Sequence, residues 1–117
     1  MKMLRLVAPL LMALAGVALA QADTYPSKPV TIIVPFPAGG PTDTIARLMS
    51  EHMRQTLGQS VLVETVTGAG ATIGVGRTVN AAPDGYTLLV GNWSSNVGSP
   101  ALYPVSWNPV NAFGRRS

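Results

Sequence analysis

"VTIIVPFPAGGPTD", residues Val30–Asp43, decides the fold. "VTIIVPF" (Val30–Phe36) is a near-continuous apolar run rich in β-branched residues. Such a run reads as a strand buried on both faces, the pattern of a parallel sheet covered by helices. The proline- and glycine-rich stretch Pro35–Asp43 punctuates it. A helical pattern follows in "TDTIARLMSEHMRQTLG", where Ile45, Leu48, Met49, Met53 and Leu57 recur at intervals of three and four and predict one apolar face. Thr42 or Asp43 suits the start of that helix and Gly58 its C-terminal stop.

The same alternation continues outward. "SVLVETV" (Ser60–Val66) reads as a second strand and "TGAGATIG" as a glycine-rich turn. "ATIGVGRTVNAA" is a weaker helix, ended by the turn residues Pro83-Asp84-Gly85. "YTLLVG" (Tyr86–Gly91) is a third strand, "NWSSN" a polar loop, and "VGSPALY" the start of a short helix. The order β-α-β-α-β predicts an α/β fold, a parallel sheet with right-handed crossovers. All three loops then lie at the carboxyl edge of the sheet, where open α/β sheets bind ligands. The first two lead into helices, whose free N–H groups and positive dipole ends suit an anion.

Composition narrows the classes. The chain has 117 residues, 47% hydrophobic and only 11% charged, which fits one domain or part of one. "MKMLR" followed by "LVAPLLMALAGVALA" is a basic start and an apolar run too short to span a bilayer, for which about 20 residues are needed. With the small-x-small sites "ALA" and "AQA", residues 1–22 read as a secretory signal peptide cleaved near Ala20 or Ala22. Without Lys2 and Arg5 the formal charge falls from +3 to +1, six basic residues (Lys28, Arg47, Arg54, Arg77, Arg115, Arg116) against five acids. No basic stripe remains to bind nucleic acid. With no cysteine, disulfides, thiolate metal sites and a thiol nucleophile are excluded. The product expected is exported and periplasmic.

Most reactive constellations fail on spacing. "PFPAGGPTD" lacks the lysine of a phosphate-binding loop. In "GAGATIG" the third glycine is one position late for a dinucleotide fingerprint, and Asn92 stands where an acid would end the next strand. His52, the single histidine, lies mid-helix beside the apolar face. A Ser94–His52–Asp84 hydrolase is compatible with composition, but "GNWSS" is not a nucleophile elbow. No carboxylate pair or metal spacing is evident. A backbone cradle fits the first loop better: Gly39 and Gly40 admit close approach to main-chain N–H groups, Pro37 and Pro41 stiffen the turn, and Thr42 adds a hydroxyl. Asp43 would repel an anion if pointed at it; it caps the helix, bonds the loop, or meets a ligand amine. Trp93, Ser94, Ser95 and Asn96 offer an apolar wall and neutral donors.

In order, "YPSKPVTIIVPFPAGGPTDTIARLM", "LGQSVLVETVTGAGATIG", "AAPDGYTLLVG" and "SPALYPVSWNPV" resemble the periplasmic substrate-binding proteins of tripartite tricarboxylate transporters, the Bug family, over about Tyr25 to Val110. The resemblance implies a two-lobed protein that closes on a small carboxylated solute, hands it to separate membrane subunits, and uses no cofactor. It implies ligand contacts at Phe36, Pro37, Ala38, Gly39, Gly40, Thr42 and Asp43, in the glycine loop Thr67, Gly68, Ala69 and Gly70, and in the third loop Ser94, Ser95 and Asn96. Pro41 departs from a usual glycine, and Thr65, Val66, Thr67 and Thr72 replace polar, basic, proline and asparagine positions, so specificity is not carried over. Family members are far longer, and the match fades near "NPVNAF". Residues 23–117 are therefore expected to be the N-terminal portion of the first lobe, with the second lobe absent. The alternative is an exported α/β hydrolase using Ser94 or Ser95.

Overall fold

The computed structural model describes residues 24–113. The predicted leader lies outside them. The described elements are β1 (Val30–Val34), α1 (Pro41–Leu57), β2 (Val61–Thr65), a 3-10 turn (Ala69–Ala71), α2 (Thr72–Val79), β3 (Thr87–Leu89), a π-helical turn (Ser94–Gly98) and α3 (Ser99–Leu102). The strands form one parallel sheet in the order β2-β1-β3. This is the α/β architecture that the alternation predicts. The ladders are shorter than the apolar runs, because Pro35 has no N–H to continue the first.

Central β1 is buried on both faces: Val30, Ile32, Ile33 and Val34 are at most 1% exposed. On one face Ile32 and Val34 pack with Ala46 of α1, bordered by Phe36, Met53, Val61, Val63, Leu88 and Val90. Ile33 points to the other face, its register partner is Glu64, and Glu64 holds Arg77 of α2 through two short contacts of 2.6 and 2.9 Å. The two helices therefore cover opposite faces, and the unit is a three-layer sandwich.

Helix α1 is turned differently from expectation. Asp43 and Ala46 are its buried residues, with Met53 and Leu57 half-buried, while Ile45, Leu48 and Met49 are 53, 63 and 44% exposed. The inward line is 43-46-53-57. This rotation puts the Asp43 carboxylate under the preceding loop, where it accepts from the Gly39 amide. Gly58, left-handed at φ 65°, closes the helix as predicted. Among the described residues no helix is long and apolar enough to cross a membrane.

Candidate functional site

Three parallel strands put their carboxyl ends, and the loops at residues 35–40, 66–71 and 90–93, on one edge of the sheet. The residues of the three loops named in the sequence, Phe36–Asp43, Thr67–Gly70 and Ser94–Asn96, lie on or next to that edge, whereas His52 and Asp84 do not.

In the first loop Pro35 is buried and Pro37, Ala38 and Gly39 are exposed. The turn is closed internally. The Gly40 amide donates to Pro37 O at 3.2 Å, and the Gly39 amide donates to Asp43 Oδ2 at 2.8 Å. The two glycine amides expected to grip a ligand are thus already engaged. The N-cap is Gly40, in extended geometry and with no side-chain cap, and Pro41 fills the first helical position. Neither Thr42 nor Asp43 is the cap. Among the described residues the amides of Ala38, Thr42 and Asp43 have no hydrogen-bond partner, and they are the donors left at the positive end of α1.

Asp43 is 2% exposed. Its Oδ2 also accepts from Arg47 Nε at 2.9 Å, while Oδ1 is buried with no partner among the described residues. The Arg47 guanidinium first, and the Gly39 amide second, hold this carboxyl below the usual carboxylate range, against the opposing push of burial. The same contact raises Arg47. A buried carboxylate at the start of a helix is stabilised by the dipole and these two donors. It latches the loop from beneath, and the ion pair offsets its charge beside a candidate anion site.

The second loop has an unusual backbone. Gly68, Ala69, Gly70 and Ala71 have φ of 122, 45, 63 and 77°, four successive residues in a region that alanine rarely visits. Thr72 braces the turn by donating its hydroxyl to Ala69 O at 2.8 Å. Gly74 lets α2 seat against the strand ends: a Cβ there would come within 2.5 Å of Val66 O and 2.9 Å of Pro35 Cβ. Close helix–sheet packing is thus one demonstrated role of this glycine-rich segment. Thr67, Gly68, Ala69 and Gly70 are all exposed at the open edge.

The third segment is not an open polar loop. It winds into the π-helical turn and α3, and Ser95 is fully buried. Ser95 Oγ accepts from the Asn92 amide at 3.0 Å and shares its proton between Asn92 O and Asn96 Oδ1, at 3.0 and 2.9 Å. The Ser95 amide donates to Asn92 Oδ1 at 3.1 Å. Ser95 therefore shapes the turn and offers no free hydroxyl at the edge. Ser94 and Trp93 are exposed and Asn96 is half-buried. Asn92-x-x-Ser95, a side-chain-bonded turn, was the available signal for this winding.

The hydrolase arrangement does not form. His52 is exposed on α1, eleven residues beyond its first, roughly 16 Å along the axis from the loop edge at about 1.5 Å per residue. Asp84 precedes β3 at the opposite edge, bonded to the Tyr86 amide at 3.0 Å. Among the described residues no group of three or more His, Cys, Asp or Glu could hold a metal ion.

Comparisons with known proteins agree with this architecture. The family profile described as "Tripartite tricarboxylate transporter family receptor" matches residues 45–114. The chain is 50% identical, over 113 residues, to a protein of the TAR-I ttuE-ttuC' intergenic region of Agrobacterium vitis, covering 93% of this chain and 32% of that one. It is 46% identical over 98 residues to protein BugT of Bordetella pertussis, with 81 and 30% covered. Among solved structures it is similar to MatC from Rhodopseudomonas palustris with bound malate, at 44% identity and TM-score 0.70 over 75% of this chain and 30% of that one. It is also similar to an R. palustris protein with adipate, at 34% identity and TM-score 0.56 over 57 and 22%. The chain spans about a third of the length of the relatives it matches. It belongs to the tripartite tricarboxylate transporter receptor family, a family of solute-binding receptors rather than enzymes.

Proposed function

We propose that this chain supplies the amide-lined side of a capture site for a small carboxylate-bearing solute. In this reading it works in the periplasm, after removal of residues 1–22, as the first-lobe part of a receptor for the membrane subunits of a tripartite transporter. One observation carries the reading: three strand-end loops share one edge, and there the N-terminus of α1 carries the unpartnered amides of Ala38, Thr42 and Asp43. Amides and a dipole end bind a carboxylate by hydrogen bonding and partial charge, and release it without a covalent step. The malate and adipate held by structural neighbours support the solute class.

Phe36 and Pro37 serve as wall, and Ala38, Thr42 and Asp43 as donors. Gly39 and Gly40 shape the turn. Thr67–Gly70 and, from the third segment, the exposed Ser94 with the half-buried Asn96 complete the rim. Ser95 acts from beneath. Isothermal titration of the chain lacking residues 1–22 with malate, adipate and a tricarboxylate tests the reading. Saturable heat with at least one acid is expected. No heat with any carboxylate overturns it, and turnover of an ester or amide would turn the reading to the hydrolase.

A further inference from the structure

We propose that Tyr103, which lies beyond the strand-end loops, is a positioning residue for this capture site: its ring edge holds the Gly68–Ala71 turn in left-handed form. The inference rests on the capture-site reading for its functional meaning, and on geometry alone for its structural part. Two alanines within a run of four positive φ values relax toward ordinary conformations unless their surroundings over-determine them. Thr72 braces the turn from inside, through its hydroxyl and its amide, both directed to Ala69 O. The outside brace comes from α3. A Cβ placed on Gly70 would come within 2.7 Å of Tyr103 Cε2, 3.2 Å of Tyr103 Cδ2 and 3.1 Å of Ser99 Oγ. The ring edge and the serine therefore rest on the backbone of the turn itself.

Both of these contacts come from α3, Ser99 as its first residue and Tyr103 as its C-cap. Ser99 is 7% exposed, and the Tyr103 amide donates to Ser99 O at 2.9 Å, so the Tyr103 backbone is tied to α3. Its ring, with the residue 44% exposed, lies against the turn on one side and solvent on the other. The third segment thus holds the second loop in place. The contact uses ring carbons and leaves the phenol oxygen aside, so phenylalanine should replace tyrosine and a smaller side chain should not. A pre-shaped turn binds more tightly because less ordering accompanies capture.

The test uses the chain without residues 1–22 in three forms: wild type, Tyr103→Phe and Tyr103→Ala. The one-bond Cα–Hα couplings and Cα shifts of Ala69 and Ala71 report the sign of φ. Positive-φ signatures are expected in wild type and Tyr103→Phe, and averaged values in Tyr103→Ala. In a malate titration Tyr103→Ala should bind roughly tenfold more weakly and Tyr103→Phe within about twofold of wild type. Unchanged couplings in Tyr103→Ala, or unchanged malate affinity where wild type binds, overturn the proposal. If wild type binds no acid, the capture-site reading falls while the couplings still decide the role of Tyr103. Should Tyr103→Ala not fold, Tyr103→Leu keeps bulk, loses the flat ring edge, and decides the same question.

Discussion

The loops after β1 and β2 are both rich in glycine and both sit at the carboxyl edge of the sheet, yet different contacts hold them in shape. The first is closed by neighbours in sequence. Gly40 bonds Pro37, Gly39 bonds Asp43, and Arg47, one turn further on, secures Asp43. The second is braced by Thr72 within the turn but otherwise wedged from afar, by the seating of α2 at Gly74 and by Ser99 and Tyr103 on Gly70. A polar latch tolerates open space above it: nothing lies within 4 Å of a Cβ placed on Gly39. A wedged turn has no such room. Substitutions should therefore act on the two loops through different terms, electrostatic in one and steric in the other.

Gly74→Val should have the largest effect. Its branched side chain meets the Val66 carbonyl and Pro35, and neither can swing aside. A loss of about 3 kcal/mol is expected, at the upper end of overpacking costs, measured as the shift of the urea midpoint. An unchanged midpoint would remove the steric half of the comparison.

Acid should single out the other loop. The folded pKa of Asp43 lies below its unfolded value, so the unfolded chain binds protons first as pH falls. The stability this carboxylate lends is full above its unfolded pKa of about 3.9 and is lost as pH drops through the lower folded pKa. Urea unfolding of wild type between pH 6 and pH 3 should show that loss, and Asp43→Asn should show less of it. Parallel curves would break the latch account.

Ser95→Ala leaves the Asn92 amide without its buried acceptor and should cost about 1–3 kcal/mol. Ser94→Ala, at an exposed neighbouring position, should stay within about 0.5 kcal/mol. Equal effects would mean that the buried turn does not hold the third segment. The smallest effect on the first loop is expected from Gly39→Ala, about 1 kcal/mol for a side chain at φ +81° with space around it. Gly70→Ala should exceed it, since it adds a collision with Tyr103 to a similar backbone penalty. That pair measures the difference between the loops most directly.

The strands, their parallel direction and the shared loop edge were legible in the sequence, while the order β2-β1-β3 came from the structure. β-branched runs, a helical period between them and turn residues at the joints leave few alternatives. The site was legible in outline, since glycine and proline mark where backbone can approach a ligand. Its details were not. Periodicity gave α1 an apolar face of Ile45, Leu48, Met49, Met53 and Leu57, of which only Met53 and Leu57 turn inward, because hydrophobicity alone does not set the rotation of a helix. Asp43 lies on the inward side, 2% exposed, its carboxylate bonded to the Gly39 amide and to Arg47. The third segment read as an open loop because serine and asparagine are common in loops, and here they bond one another into a wound turn that buries Ser95.

The sequence by itself determined the α/β class, the position of the edge and the resemblance to a receptor family, because each depends on patterns repeated within a few residues of the chain. The tertiary structure alone decided which amides stay open, which side of α1 turns inward and what holds the glycine turn. The first two turn on the short-range bonds of Gly40 to Pro37 and of Gly39 to Asp43, which no periodicity records, and the last on proximities such as Tyr103 with Gly70 and Gly74 with Pro35, between residues more than thirty positions apart.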